Sequence, residues 1–193
     1  LADMPEPDYV DEGDGASVSA AYEAAAAPPR ATREVIATPD QRHRAMAASE
    51  LALSNLSADI ALGRARMVFL AGVSDGRDAA VVADTLVADA LGKGLSVCRV
   101  DAGSGRPSVA PGISDLCAEA AGFGDVVHKV REGLAEVPWG HLTVLDRRSL
   151  GGAALAEALA DIYEVVIVTA GKLGMMSNLP LFAGLPGRLM LVR

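Results

Sequence analysis

Two runs that are almost wholly apolar constrain this chain more than any other feature. Met67-Val-Phe-Leu-Ala71 and residues 164–169, nearly pure in β-branched side chains, have no alternating polar positions. A strand with one wet face alternates. A short continuous run reads as a strand covered on both faces, which happens in parallel sheets with helices on either side. Glycines and helical periodicity follow the first run: a turn over 72–76, then a helix over 78–91 closed by Gly92 and Gly94. Residues 96–100 read as a second strand ending at Asp101. A Gly/Ser/Pro-rich loop covers 102–112, and 114–121 and 123–129 read as short helical pieces. Residues 142–145 are predicted as a strand, 152–162 as a helix, 179–183 as helical or irregular, and 188–192 as a last strand. Strands alternating with helices across short glycine loops give a doubly wound α/β domain, a mostly parallel sheet flanked by helices.

The first 40 residues differ in kind. Asp3, Glu6, Asp8, Asp11, Glu12 and Asp14 are followed by a small-residue stretch and Pro28-Pro29. Such a segment buries too little apolar surface to order itself, so a disordered linker is expected. From Pro39, Met46, Leu51, Leu53, Leu56 and Ile60 recur at helical steps, predicting an amphipathic helix to about residue 62 that Gly63 ends. Because the chain begins with Leu, it is expected to be an excised piece of a longer polypeptide. No apolar run approaches the roughly 20 residues that span a bilayer.

Hydrophobic residues are 51% of the chain and aromatics 4%, so the core must be aliphatic. The formal net charge of −8 repels phosphate backbones and argues against nucleic acid as a partner. Any anion site needs a local exception. Cys98 and Cys117, in apolar surroundings and outside any CxxC pair, read as small buried hydrophobes. His43, His128 and His141 have no metal-ligand spacing, and no metal site is expected.

Ligands of doubly wound sheets sit beyond the carboxyl ends of the strands, which makes the loop after the first strand the place to look. A phosphate cradle of the P-loop type needs glycines that turn consecutive N–H groups inward, a lysine for the outer phosphates and a Ser/Thr hydroxyl for Mg²⁺. Here Gly72 and Gly76 stand one residue closer than the Walker A spacing, and Arg77-Asp78 replaces Lys-Ser/Thr. Arg77 can still pair with a phosphate. Asp78 favours the helix N-terminus but repels a triphosphate. An ordinary tight strand–helix turn is the alternative reading of the same residues.

Further along come Cys98-Arg-Val-Asp101, Ala102-Gly-Ser-Gly-Arg-Pro-Ser108, Pro111-Gly-Ile-Ser-Asp-Leu116, Phe123-Gly-Asp-Val-Val-His128 and Leu159-Ala-Asp-Ile-Tyr-Glu-Val-Val-Ile-Val168. In this order, after the helix containing Leu56-Ser-Ala-Asp-Ile-Ala-Leu62, the series over about 45–193 resembles the cytoplasmic domain of bacterial tyrosine kinases (BY-kinases) fused to polysaccharide co-polymerases. The resemblance implies a P-loop NTPase-like fold related to MinD/ParA ATPases over 41–193, with ATP/ADP and Mg²⁺ as family cofactors. The family's phosphate and metal groups fall on Gly72, Gly76, Arg77, Asp78 and Asp101, and only a vestige of them remains. Asp-x-Asp-x-Arg becomes Asp101-Ala-Gly-Ser-Gly105, with Arg106 one place late. The Walker B Asp corresponds to Thr169, and the following Pro-Pro to Gly171-Lys172. Phosphoryl transfer relies on positioning and on charge neutralisation by metal, so these losses predict no catalytic residues and no bound cofactor.

The resemblance therefore implies a pseudokinase acting through other proteins of a polysaccharide polymerisation or export complex. It would lie on the cytoplasmic side of the inner membrane, attached only through segments outside this chain. An active ATPase or autokinase using Arg77, Asp78 and Asp101, or a nucleotide switch without hydrolysis, are the competing readings. A homo-oligomer is possible, but the family's Glu-x-x-Arg-x-x-Arg ring motif becomes Glu50-Leu-Ala-Leu53-Ser-Asn-Leu56, whose leucines either pack on the sheet or make an apolar contact. The family's tyrosine-rich tail has no counterpart among Tyr9, Tyr22 and Tyr163. Trp139 is expected to cap the sheet edge, Lys172 to lend charge to an anion, and Met175 and Met176 to plug the pocket. Arg30, Arg33, Arg42 and Arg44 suit either an inner leaflet or a solvated linker.

Overall fold

Consecutive residues of the first apolar run point to opposite faces of a sheet, and both faces are covered. The structure, a computed structural model, describes residues 39–193 except 176, and side chains from 47 onward. The linker, Arg30 and Arg33 lie outside the described residues, as do the side chains of Arg42 and Arg44. Residues 43–193 form one unit.

Helix α1 (Pro39–Ala61) leads into β1 (Met67–Gly72), then α2 (Gly76–Gly92) and β2 (Val97–Asp101). The short helices α3 (Ile113–Cys117) and α4 (Phe123–Val126) precede a hairpin of β3 (His128–Arg131) and β4 (Leu134–Val137). Helix α5 (Gly151–Ile162), β5 (Val165–Lys172), a 3₁₀ turn (Leu179–Phe182) and β6 (Arg188–Val192) complete the unit. The strand order is β3-β4-β2-β5-β1-β6, with every neighbouring pair parallel except β3–β4. This is the doubly wound, mostly parallel sheet that the sequence predicts.

Met67 and Phe69 of β1 face one core layer, with Leu155 and Leu159 of α5, Ile113 of α3 and Phe182. Val68 and Leu70 face the other, with Leu86 and Ala90 of α2 and Leu56 and Ile60 of α1. Leu56 and partly buried Leu53 therefore pack on the sheet, while Leu51 is exposed. Among the described residues no helix is long and apolar enough to cross a membrane.

Three expectations fail between β2 and α5. Residues 142–145 are not a strand: the Trp139 indole N–H donates to the Leu142 carbonyl at 2.6 Å, and the Leu142 N–H goes to Ser114 Oγ at 3.2 Å. Leu142 thus has neither backbone group free for a ladder, and Val144 faces solvent. Leu134–Val137 fills that place in the sheet. Residues 128–131, of which 128–129 are predicted as the end of a helix, instead form the antiparallel edge strand, turned by Gly133 at φ 74°. Its exposed Lys129 and Arg131 blunt the edge against further pairing. Trp139 is buried within the core, not at the sheet edge.

Candidate functional site at the carboxyl end of the sheet

The turn from β1 into α2 has only Val73, Ser74 and Asp75 between strand and helix. So short a turn must fold back on itself. A Cβ placed on Gly72 would lie 1.8 Å from the Asp75 carbonyl oxygen, so a glycine is required by close approach. Asp75 caps α2 by accepting the Arg77 N–H at 3.0 Å. The Val73 N–H donates to the Val192 carbonyl at 2.7 Å. Two N–H groups that a phosphate cradle needs are thereby committed, one to a carboxylate and one to β6.

The neighbouring strand ends close in from the other side. Asp101, last residue of β2, accepts the Gly103 and Ser104 N–H groups at 3.0 and 2.9 Å, turning the chain out of the sheet. Thr169 of β5 is buried, its hydroxyl 3.3 Å from the Val100 carbonyl and 3.5 Å from Asp101 Oδ1. A Cβ on Gly103 would meet Gly171 N at 2.1 Å, so the exits of β2 and β5 touch backbone to backbone.

Between these exits and α2 lies a cleft of about 520 Å³. Gly76, Arg77 and Asp101 of the predicted set line it; Gly72 lies beneath the turn and Asp78 in the first turn of α2, neither on its wall. Lys172 lines it, as expected. Met175 does not plug it: the side chain is 97% exposed. Met176 lies outside the described residues. The reading from sequence misses Arg99, Asp84 and Asp75. Arg99 Nη1 pairs with Asp84 at 2.7 Å and approaches Glu136 at 3.9 Å. A signal existed, since Arg99 and Asp101 are polar residues two apart in a buried strand and so share a face.

The Mg²⁺–triphosphate group that the fold implies does not fit these residues. The turn offers no lysine or hydroxyl at the start of α2, Asp75 holds the Arg77 N–H, and Thr169 stands where a second carboxylate is needed. Among the described residues no cluster of three or more His, Cys, Asp or Glu is arranged to hold a metal ion. Both cysteines are free and buried, and burial, reinforced by Glu136, pushes the Cys98 thiol up to about 12.

Behind the cleft, the 102–112 loop is pinned by side chains. Asp115, 4% exposed, accepts the Gly112 and His141 N–H groups, each at 2.9 Å. Burial pushes this carboxyl up, but those two donors and the His141 ring 3.3 Å away outweigh it and hold the group below the ordinary range. His141 Nε2 reaches the Val109 carbonyl at 3.0 Å and His128 Nε2 the Pro111 carbonyl at 2.8 Å. Two of the three histidines thus fasten one loop.

No protein-family model and no curated protein matches the sequence. Solved structures do. The BceF tyrosine kinase domain superposes with a TM-score of 0.56 at 19% identity, over 72% of this chain and 62% of that one. The chimerical protein CapA2B2 gives 0.58 at 15%, over 69% and 66%. The septum site-determining protein MinD from Pyrococcus horikoshii OT3, complexed with Mg-ADP, gives 0.54 at 19%, over 66% and 57%. The chain spans less than two thirds of each. At these identities the likeness establishes the fold alone, the doubly wound, mostly parallel sheet that these structures share.

Proposed function

We propose that this domain is a BY-kinase-like module that no longer transfers phosphoryl groups and works by docking other proteins. The observation that carries it is the collapsed β1–α2 turn, where Asp75 occupies the N–H that a phosphate needs and folds its carbonyl onto Gly72. In-line transfer relies on metal-mediated neutralisation, and losing one such stabiliser typically costs on the order of 10²–10³ in rate. Here the lysine, the metal-holding hydroxyl and two carboxylates are all replaced. The resemblance of the ordered segments supports a setting in exopolysaccharide polymerisation or export, on the cytoplasmic face of the inner membrane, with membrane attachment through segments outside this chain.

The test is a turnover and autophosphorylation assay with MgATP. Background rates are expected. Mg²⁺-dependent turnover abolished by Arg77→Ala overturns the proposal. A second reading, ligand binding without hydrolysis, is favoured by one observation, the unpaired cations of the cleft.

A further inference from the structure

Four cations line the cleft, Arg77, Arg99, Arg106 and Lys172, against three carboxylates, Asp75, Asp84 and Asp101. The chain as a whole is at −8, so a cation-rich cleft is a local reversal of its field. The carboxylates are already used: Asp75 caps α2, Asp84 pairs with Arg99, and Asp101 holds the Gly103 and Ser104 N–H groups. Arg77, Arg106 and Lys172 make no ion pair among the described residues. Arg99 Nε is buried and has no acceptor among the described residues. An unsatisfied buried donor costs free energy, and the cleft's four cations outnumber its three carboxylates, an excess that an incoming anion neutralises.

We propose that this cleft binds a phosphate-type oxyanion directly on Arg77, Arg106 and Lys172, with no divalent metal. These side chains come from the exits of three strands, β1, β2 and β5, so the sheet itself gathers them. Arginine supplies paired donors matched to the edge of an oxyanion, and lysine a point charge. Side-chain cations thus take over the neutralising role that backbone N–H groups and metal play in a P-loop. The phosphate group comes free or carried on a small molecule such as a nucleotide; the chemistry recognised is the same. The inference rests on the reading that no metal–triphosphate geometry exists here, which the turnover assay tests separately.

Titration calorimetry in EDTA, at fixed ionic strength, with inorganic pyrophosphate and with ADP as probes, decides it. Saturable 1:1 binding of pyrophosphate is expected in EDTA, and Mg²⁺, which complexes pyrophosphate in solution, should not tighten it. Arg77→Ala and Lys172→Ala should each weaken it by about tenfold, the usual worth of one charged hydrogen bond, and Lys172→Arg should restore most of the loss. Both side chains are exposed, so the variants keep the fold. ADP binding as tightly as pyrophosphate identifies a nucleotide as a source, and pyrophosphate alone identifies a free oxyanion. The proposal is overturned by the absence of saturable heat at millimolar pyrophosphate, by binding that appears only with Mg²⁺, or by binding undiminished in both alanine variants.

Discussion

The turn after β1 and the loop after β2 leave the same end of the same sheet, yet they are held by opposite means. The first is three residues long and is fixed by its own backbone, one cap and one backbone hydrogen bond to β6, with no side chain from elsewhere in the fold. The second runs from Ala102 to Gly112 and is fastened by Asp115 three residues on, and by partners far away in sequence: His128, His141 and the Gly103–Gly171 contact. A short turn records local chemistry and is easily repurposed. A long loop tied to the core resists change, because each tie belongs to another element.

If that contrast is right, one added methyl group should cost more in the second region than in the first. A Cβ on Gly112 would sit 2.0 Å from the Pro138 carbonyl oxygen and 2.6 Å from Gly140 N, both on a segment buried against the core. The Gly112 backbone is extended, so the penalty is close approach, not torsion. Gly72→Ala meets the Asp75 carbonyl and the Gly76 backbone, in a turn whose Ser74 and Asp75 are exposed and have more room to shift. Urea unfolding of Gly112→Ala should show a loss of about 3 kcal/mol, and of Gly72→Ala about half that. Equal losses would erase the distinction between the two regions.

Next in size is the carboxylate at the centre of the long loop's ties. Asp115→Asn weakens two backbone hydrogen bonds to a charged acceptor and should cost about 2 kcal/mol at pH 7. The pH profile separates charge from shape. The folded Asp115 carboxyl lies below its ordinary 3.8, so its contribution is complete above that value and is lost as pH falls through the lower folded one. The protein should lose stability in that acid window, and Asp115→Asn should lose less of it. Identical profiles for the two would show that the carboxylate is not what holds the loop.

The short turn has its own tie to cut. Asp75→Ala removes the α2 cap, and about 1 kcal/mol is expected from the unfolding midpoint. Because no other element depends on Asp75, the loss should add to that of Asp115→Asn within about 0.5 kcal/mol in the double variant.

The same contrast explains what could be read in advance. The sheet was legible because Met67–Ala71 and Val165–Val168 state their two-faced burial outright, and the β1–α2 turn because strand, glycines and helix are adjacent in sequence. Gly76, Arg77 and Asp101 line one cleft at those strand ends. Leu142-Thr-Val-Leu145 misled because its β-branched composition is local, whereas its fate depends on Trp139 and Ser114 taking its backbone groups. Leu134-Ala-Glu-Val137, to which the sequence reading assigns no element, becomes a strand by its place beside β2. Arg99 and Asp84 were missed for a related reason: their pairing joins β2 to α2 across 15 residues, and no spacing rule links them.

The smallest expected effect is the most informative about function. Replacing Arg77→Lys together with Asp78→Thr restores the residue types of a phosphate-binding turn and removes a repelling carboxylate. No gain in MgATP turnover is expected. The turn still has one residue too few, Asp75 still holds the N–H of position 77, and Thr169 still stands at the end of β5 where a carboxylate is needed. Residue identity is cheap to restore, but the backbone path is set by loop length and by the cap. A double variant that hydrolysed ATP would mean that the turn reopens around a nucleotide, and that its collapse reflects side-chain chemistry instead of chain length.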